Sequence, residues 1–252
     1  GYNVDISTDA LSSAISNSIF ATSNDELRPA MTGVFINLSP TNTTFVATDG
    51  PRLIRYRRVD VAPEGDKEHS IIIPRKALNL LNSTLPGENT NVSIEFNMAN
   101  AFFHFNNIKM ICRLIDERYP DYENVIPVEN DNHMSIGRLE FLNSLKRISI
   151  YANKTTNQVR LKITGSELQI SAEDLDFSNE ANERLSCEHD GEDIEIGFNA
   201  RFMMEMLNNL GSKEITLQLS EPNRAGLIVP KDQADNEDIL MLVMPVMLSD
   251  YV

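Results

Sequence analysis

Apolar residues recur every three or four positions in four stretches of the chain, and at every second position through most of the rest. The first helical stretch is predicted over residues 9–22, where Leu11, Ile15 and Ile19 fall in steps of four behind a Ser7 or Thr8 cap. The second follows Pro74, which suits a first helical turn, and carries Ala77, Leu78, Leu81 and Leu85. The third covers residues 138–152, with Leu139, Leu142, Leu145 and Ile148. The fourth opens after Asn199, a good cap. It carries Met203, Met206, Leu207 and Leu210 and stops at Gly211.

Strand-like runs fill the intervals, at 33–38, 44–48 and 53–61, at 92–96, 102–105 and 109–115, at 159–163, 168–172 and 181–187, and at 215–219, 226–229 and 239–246. Most alternate apolar and polar residues and are split by short Asn, Gly, Asp or Ser turns. That predicts antiparallel pairing with one solvated face. The order is one helix and three strands, four times over, with extra strands at 70–73 and 193–197 leading into the second and fourth helices. IIIPRKALNLLNSTL…NVSIEF lines up with IEIGFNARFMMEMLNNLGSKEITLQL, an internal repeat with a period of about 60 residues. Paired repeats predict an α+β fold of two similar domains, residues 1–130 and 131–252, each with two helices packed on antiparallel sheets. The polar ENDNH, residues 129–133, is the expected joint.

Composition narrows the class. Apolar residues at 41% and charged residues at 23% are enough for a real core, which excludes a disordered chain or a fibre. No apolar run approaches the ~20 residues of a membrane helix. The start, GYNVDISTDA, has no basic flank before an apolar core, so no signal peptide is expected. Two cysteines, Cys112 and Cys187, do not make a disulfide framework; reduced thiols in strands are expected, as in a cytoplasmic protein. With 22 basic and 37 acidic residues the net charge is −15, which argues against a surface that clings to nucleic acid throughout. A local basic lining remains compatible with that balance.

Catalytic chemistry is hard to find. His69, His104, His133 and His189 lack partners at metal-ligand or triad spacing, and Glu173, Asp174 and Asp176 lack the central Gly and terminal Glu of a calcium loop. No Gly-rich phosphate loop follows a strand. No catalytic residue, metal or cofactor is therefore expected, and the chain is expected not to be an enzyme. Three other stretches are distinctive. ATDGPRLIRYR, residues 47–57, places Asp49-Gly50 in a hairpin turn. RLIDERYPDYENVIP, residues 113–127, runs from a strand into two prolines with aromatic residues between them. MLVMPVML, residues 241–248, carries Pro245, which argues for a strand end or an edge. Met203, Met204, Met206, Met241, Met244 and Met247 crowd the end of the chain. Methionine-rich surfaces repack around different ligands, although Met203 and Met206 taken singly suit a core.

Taken together, RPAMTGV, ATDGPRL, IIIPRKAL, IDERYPDYENVIP, IEIGFNARF and VMPVML, in that order and spacing, resemble the bacterial sliding clamp, the β subunit of DNA polymerase III. The resemblance covers essentially the whole chain. It implies the second and third of three clamp domains, with the N-terminal domain absent; a chain that starts at Gly1 rather than Met fits a trimmed sequence. It also implies a replication processivity factor. Such a clamp is a head-to-tail homodimeric ring around duplex DNA that tethers the polymerase III catalytic subunit, the clamp loader and other motif-bearing partners. Helices line the hole, so Arg75, Lys76, Lys146, Arg147 and Arg201 are implied to face DNA, although the first helix, DALSSAISNSIFAT, has no Lys or Arg.

The resemblance further implies a pocket between the second and third domains that takes a short linear motif. Carried over by motif, its residues are Met31, Thr48, Gly50, Pro51, Arg52, Leu53, Pro120, Asn124, Val125, Thr156, Asn199, Phe202, Leu242, Val243, Met244, Pro245 and Val246. Pro51 stands where the family often has His, Asn124 where a basic residue is common, and Thr156 where an aromatic is frequent. Residues 249–252 extend past the family's usual end and are expected to cover or flank the pocket. The subunit contact is implied at Ile150, Tyr151, Glu180 and Glu183. With no first domain to receive that face, a chain of two domains is expected to be a monomer with weak, salt-sensitive affinity for DNA. A repeated α+β structural or adhesion module with no nucleic-acid partner would also explain acidity and repetition, but it does not predict these motifs.

Overall fold

The computed structural model describes residues 2–248. The chain divides into two compact units, Gly1–Asp121 with Ala234–Ile239, and Tyr122–Gln233 with Leu240–Val252. The division thus falls before ENDNH, the stretch whose polarity suggested a joint. Asn130 is buried there, and its amide donates to the carbonyls of Gln218 (3.0 Å) and Ala225 (2.9 Å). A buried amide with two acceptors is satisfied, so polar residues here open a domain instead of linking two.

In the first unit the order is β1 (Tyr2–Ser7), α1 (Thr8–Ser16), β2 (Gly33–Ser39), β3 (Asn42–Thr48), β4 (Arg52–Arg58), β5 (His69–Pro74), α2 (Arg75–Thr84), β6 (Asn91–Phe96), β7 (Asn100–Phe105) and β8 (Ile108–Arg113). Strand, helix and three strands thus occur twice. The two copies exchange their first strands: β1 pairs with β6, and β5 with β2, all antiparallel. The results are the sheet β1-β6-β7-β8 and the run β5-β2-β3-β4. Leu11 and Ile15 of α1 and Leu78 and Leu81 of α2 are fully buried, and Ser12 donates to Asn82 across the helix pair at 3.0 Å.

The second unit repeats this plan with β9 (Asn132–Gly137), α3 (Arg138–Ile148), β10 (Gln158–Thr164), β11 (Glu167–Asp174), β12 (Asn179–Ser186), β13 (Glu188–Asp190), β14 (Ile194–Asn199), α4 (Ala200–Asn208), β15 (Glu214–Leu219), β16 (Gly226–Pro230) and the end of β17 (Glu237–Val243), whose residues 237–239 fall in the first unit. Here β9 pairs with β15 and β14 with β10, the same exchange. One sheet runs β12-β11-β10-β14, and β13 adds to the free side of β9. Among the described residues no helix is long and apolar enough to cross a membrane.

The helices end earlier than their periodicity predicts, α1 and α3 by the most. α1 stops at Ser16, and Ile19–Ala21 forms a separate 3₁₀ turn. The Ser18 hydroxyl donates to the carbonyls of Ala14 (2.6 Å) and Ile15 (3.3 Å), and such back-bonding competes with the helical ladder. α3 stops at Ile148, followed by a 3₁₀ turn over Ser149–Tyr151. The last strand also ends early, at Val243. Among the described residues beyond it, only Val246 rejoins a sheet, its N–H donating to the Gly197 carbonyl at 2.9 Å.

A buried charge network fixes Ala234–Ile239 within the first unit. Tyr56 is wholly buried and donates to Glu237 Oε1 at 2.7 Å. Arg58, also buried, donates to the same oxygen at 3.1 Å and to both oxygens of Asp60 at 2.9 and 2.7 Å. Burial, with the Glu237 carboxylate beside it, pushes the Tyr56 phenol well above its ordinary range. For Asp60, partial burial works upward, but the Arg58 bonds outweigh it and hold the carboxyl below its usual value.

Candidate functional site

In the first unit, the Thr48–Leu53 turn is built as a rigid knuckle. Gly50 takes φ +106°, a conformation that side chains rarely adopt. Thr48 Oγ1 donates to the Arg52 carbonyl at 2.6 Å and accepts from the Gly50 N–H at 3.2 Å. Arg52 is only 5% exposed; Asp49 accepts from its backbone N–H and its guanidinium at 3.0 and 3.1 Å, and its charge sits 5.7 Å from the Phe20 ring centre. Leu53, Thr48 and Met31 are buried as well. The surface of the knuckle is therefore Gly50 and Pro51, with Arg52 as its internal brace. Sequence reasoning passed over Arg28, whose guanidinium reaches the Asp49 carbonyl at 3.4 Å and lies beside Gly50. Its signal was present, as the first residue of RPAMTGV.

The second unit gathers its own set at the end of β14. Asn199 caps α4, accepting from the N–H groups of Arg201 (2.9 Å) and Phe202 (3.4 Å). The Ala200 N–H bonds Asn157, in the turn that holds Thr156 exposed. Val246 lies on Gly197, where an added Cβ would stand 2.6 Å from the Val246 carbonyl oxygen. Leu242 and Val243 are core residues, whereas Met244 is 43% exposed and Pro245 and Val246 are half-buried. Pro120, Asn124 and Val125 stand exposed on the segment around the 3₁₀ turn Glu123–Val125. Residues 249–252 lie outside the described residues.

The cations assigned to DNA divide in two. Lys76, Lys146 and Arg201 are exposed. Arg75 is half-buried, with Nη1 3.5 Å from Thr22 Oγ1, and Arg147 is ion-paired to Glu183 at 2.9 Å. Glu183 also accepts from Ser144 at 2.8 Å, so its carboxylate faces α3. Ile150, Tyr151 and Glu180 are exposed. Cys112 is buried and Cys187 half-buried. Burial pushes both thiols up, with Glu167 adding at Cys187, which disfavours the reactive thiolate.

Residues 5–121 match the family described as DNA polymerase III beta subunit, central domain, and residues 123–247 match its C-terminal domain. The chain belongs to the DNA polymerase III beta subunit family. Among its relatives, the beta sliding clamp of Synechococcus elongatus is 28% identical over 249 residues, covering 96% of this chain and 65% of that protein. The chain thus spans about two thirds of the length of such family members. The crystal structure of the DNA polymerase sliding clamp from Pseudomonas aeruginosa superposes with a TM-score of 0.93 at 27% identity, covering 98% of this chain and 67% of that one. A sliding clamp of the same organism bound to griselimycin superposes at 0.91 and 27% identity, covering 98% and 65%.

Proposed function

We propose that this chain is the motif-binding, DNA-facing part of a replication processivity factor. In this reading it performs no chemistry and acts in the cytoplasm. The full-length protein is a head-to-tail homodimeric ring on duplex DNA. It tethers the polymerase III catalytic subunit, the clamp loader and other proteins carrying a short apolar motif. The observation that carries the reading is the run of two consecutive family matches over both units, with the C-terminal Met244–Pro245–Val246 edge held open beside Gly197. Met244, Pro245, Val246 and Phe202 offer apolar surface to aliphatic and aromatic anchors. In the first unit, the Gly50–Pro51 knuckle with Arg28 beside it is a rigid polar surface.

Met244 is the discriminating residue because it is exposed and its truncation leaves the core intact. Losing one anchor contact costs ~1–3 kcal/mol. Met244→Ala is therefore expected to weaken a peptide of pattern Gln-Leu-aliphatic-Leu-Phe by ~10-fold or more. Calorimetry showing wild-type affinity for that variant would overturn the assignment, and no binding by the unmodified chain would favour a purely structural module.

Binding to duplex DNA is expected to be weak and set by few cations. With Lys76, Lys146 and Arg201 as the contributors, the log–log slope of affinity on salt is about −3 per chain, at roughly −0.9 per phosphate. Fluorescence anisotropy across a salt series reads it directly. A slope of about −4.5, the value for five cations, would mean that Arg75 and Arg147 leave their present partners.

A further inference from the structure

The chain holds two Asp-Gly steps, Asp49-Gly50 and Asp190-Gly191. Glycine has no side chain to shield its nitrogen and its backbone turns freely, so in such a step the nitrogen can reach the carboxyl carbon of the preceding side chain. The two steps sit in opposite surroundings. In the knuckle of the first unit, both Asp49 oxygens accept from Arg52, Oδ1 from its backbone N–H at 3.0 Å and Oδ2 from Nε at 3.1 Å. The Gly50 N–H donates to Thr48 Oγ1 at 3.2 Å. Both reacting groups are thus committed to other partners. In the second unit, Asp190 ends β13, and it and Gly191 are both exposed. Among the described residues, the Asp190 carboxylate has no hydrogen-bond or ion-pair partner and the Gly191 N–H donates to no group.

We propose that Asp190-Gly191 is a site of spontaneous isoaspartate formation and that the fold shields Asp49-Gly50 from the same reaction. The Gly191 nitrogen attacks Cγ of Asp190, and the new C–N bond closes a five-membered imide. One side-chain oxygen leaves as water, taking the amide proton and a second proton from solvent. Water then adds at either imide carbonyl and breaks the C–N bond there. One opening returns aspartate. The other leaves isoaspartate, with the chain running through Cβ and Cγ. An intramolecular attack of this kind depends on reaching the attacking geometry. The free groups at Asp190-Gly191 can reach it, whereas the Asp49 carboxylate must first leave Arg52. The product disturbs local pairing. Asn132 ties both sides of the step, its Oδ1 2.6 Å from His189 Nε2 and its Nδ2 donating to the Glu192 carbonyl at 2.8 Å. An extra methylene between His189 and Glu192 upsets these bonds and the register of Asp190 opposite His133, so β13 parts from β9. The inference rests on the two steps alone and stands or falls separately from peptide or DNA binding.

The test ages the 252-residue chain for several weeks at neutral pH, once folded and once in guanidinium chloride. Tryptic digestion with electron-transfer fragmentation then reads each step, since that fragmentation separates isoaspartate from aspartate at equal mass. In the folded chain, isoaspartate is expected at Asp190 at least ~10-fold faster than at Asp49. In denaturant the two rates converge, because only the fold sets them apart. Asp190→Glu removes the signal at that step, because the longer side chain must close a less favourable six-membered ring. In the aged, folded chain, amide hydrogen exchange over Glu188–Asp190 speeds up in proportion to the converted fraction. Equal rates at the two steps of the folded chain overturn the proposal. So does a gap that persists undiminished in denaturant, a signal that survives Asp190→Glu, or a converted chain whose β13 exchanges no faster than before.

Discussion

Arg58→Met is expected to lower the stability of the first unit by about 2–4 kcal/mol, below the ~3–5 kcal/mol for breaking a fully buried ion pair because Asp60 and Glu237 are partly solvated. The substitution keeps the bulk of the side chain and removes only its donors. Glu237, with its side chain 23% exposed, then keeps a single donor, the Tyr56 hydroxyl, and Asp60 loses two charge-assisted bonds. Tyr56→Phe takes away one neutral donor and costs about 1 kcal/mol. Urea titration followed by far-UV circular dichroism orders the two variants, and an equal loss would show that the guanidinium contributes no more than the phenol. The acid limb gives a separate reading. The Asp60 carboxyl is depressed in the folded chain, so its contribution is present above its unfolded pKa and lost as pH falls through the folded one. The gap between the parent and Asp60→Asn should therefore close on acidification.

Gly197→Val is expected to release the C-terminal run. A Cβ at this position meets the Val246 carbonyl oxygen at 2.6 Å and Leu248 Cδ2 at 2.8 Å, and the first of these is backbone that cannot turn aside. Either the β14 end shifts, at the ~1–3 kcal/mol typical of overpacking, or Val246 leaves its bridge. In the second case Met244 and Pro245 lose their mooring, and affinity for the linear motif falls ~10-fold or more with little change in melting temperature. Gly211→Ala is the control, because nothing lies within 4 Å of its would-be Cβ. Full motif affinity in Gly197→Val would detach the C-terminal run from binding.

The helix cores were legible in the sequence because burial follows the 3.6 period directly: Leu11, Ile15, Leu81, Leu142 and Met206 all point inward. Helix ends were not, since a single hydroxyl such as that of Ser18 settles them. β1 and β9 escaped because each carries only two inward apolar residues, Val4 and Ile6 or Met134 and Ile136, beside a helix start. Their partners β6 and β15 are far along the chain, and periodicity sees only neighbours. The knuckle at Asp49-Gly50 was legible as a turn. That Arg52 folds back into it, and is unavailable as a surface cation, depends on Phe20 from a separate element. Arg147 and Glu183 show the same limit. They had been assigned to different surfaces, DNA and subunit contact, yet they neutralise each other at 2.9 Å. Spacing along a sequence carries no information about such a pair.

The order of synthesis acquires a meaning from Ala234–Ile239, a late segment that belongs to the early unit. The bonds from Tyr56 and Arg58 to Glu237 span 181 and 179 positions, so neither can form until synthesis has passed Glu237. Domains usually mature in the order in which they emerge. Here the nascent first unit holds a phenol and a guanidinium whose common carboxylate is still unmade, and a premature stop far downstream leaves that lesion permanent.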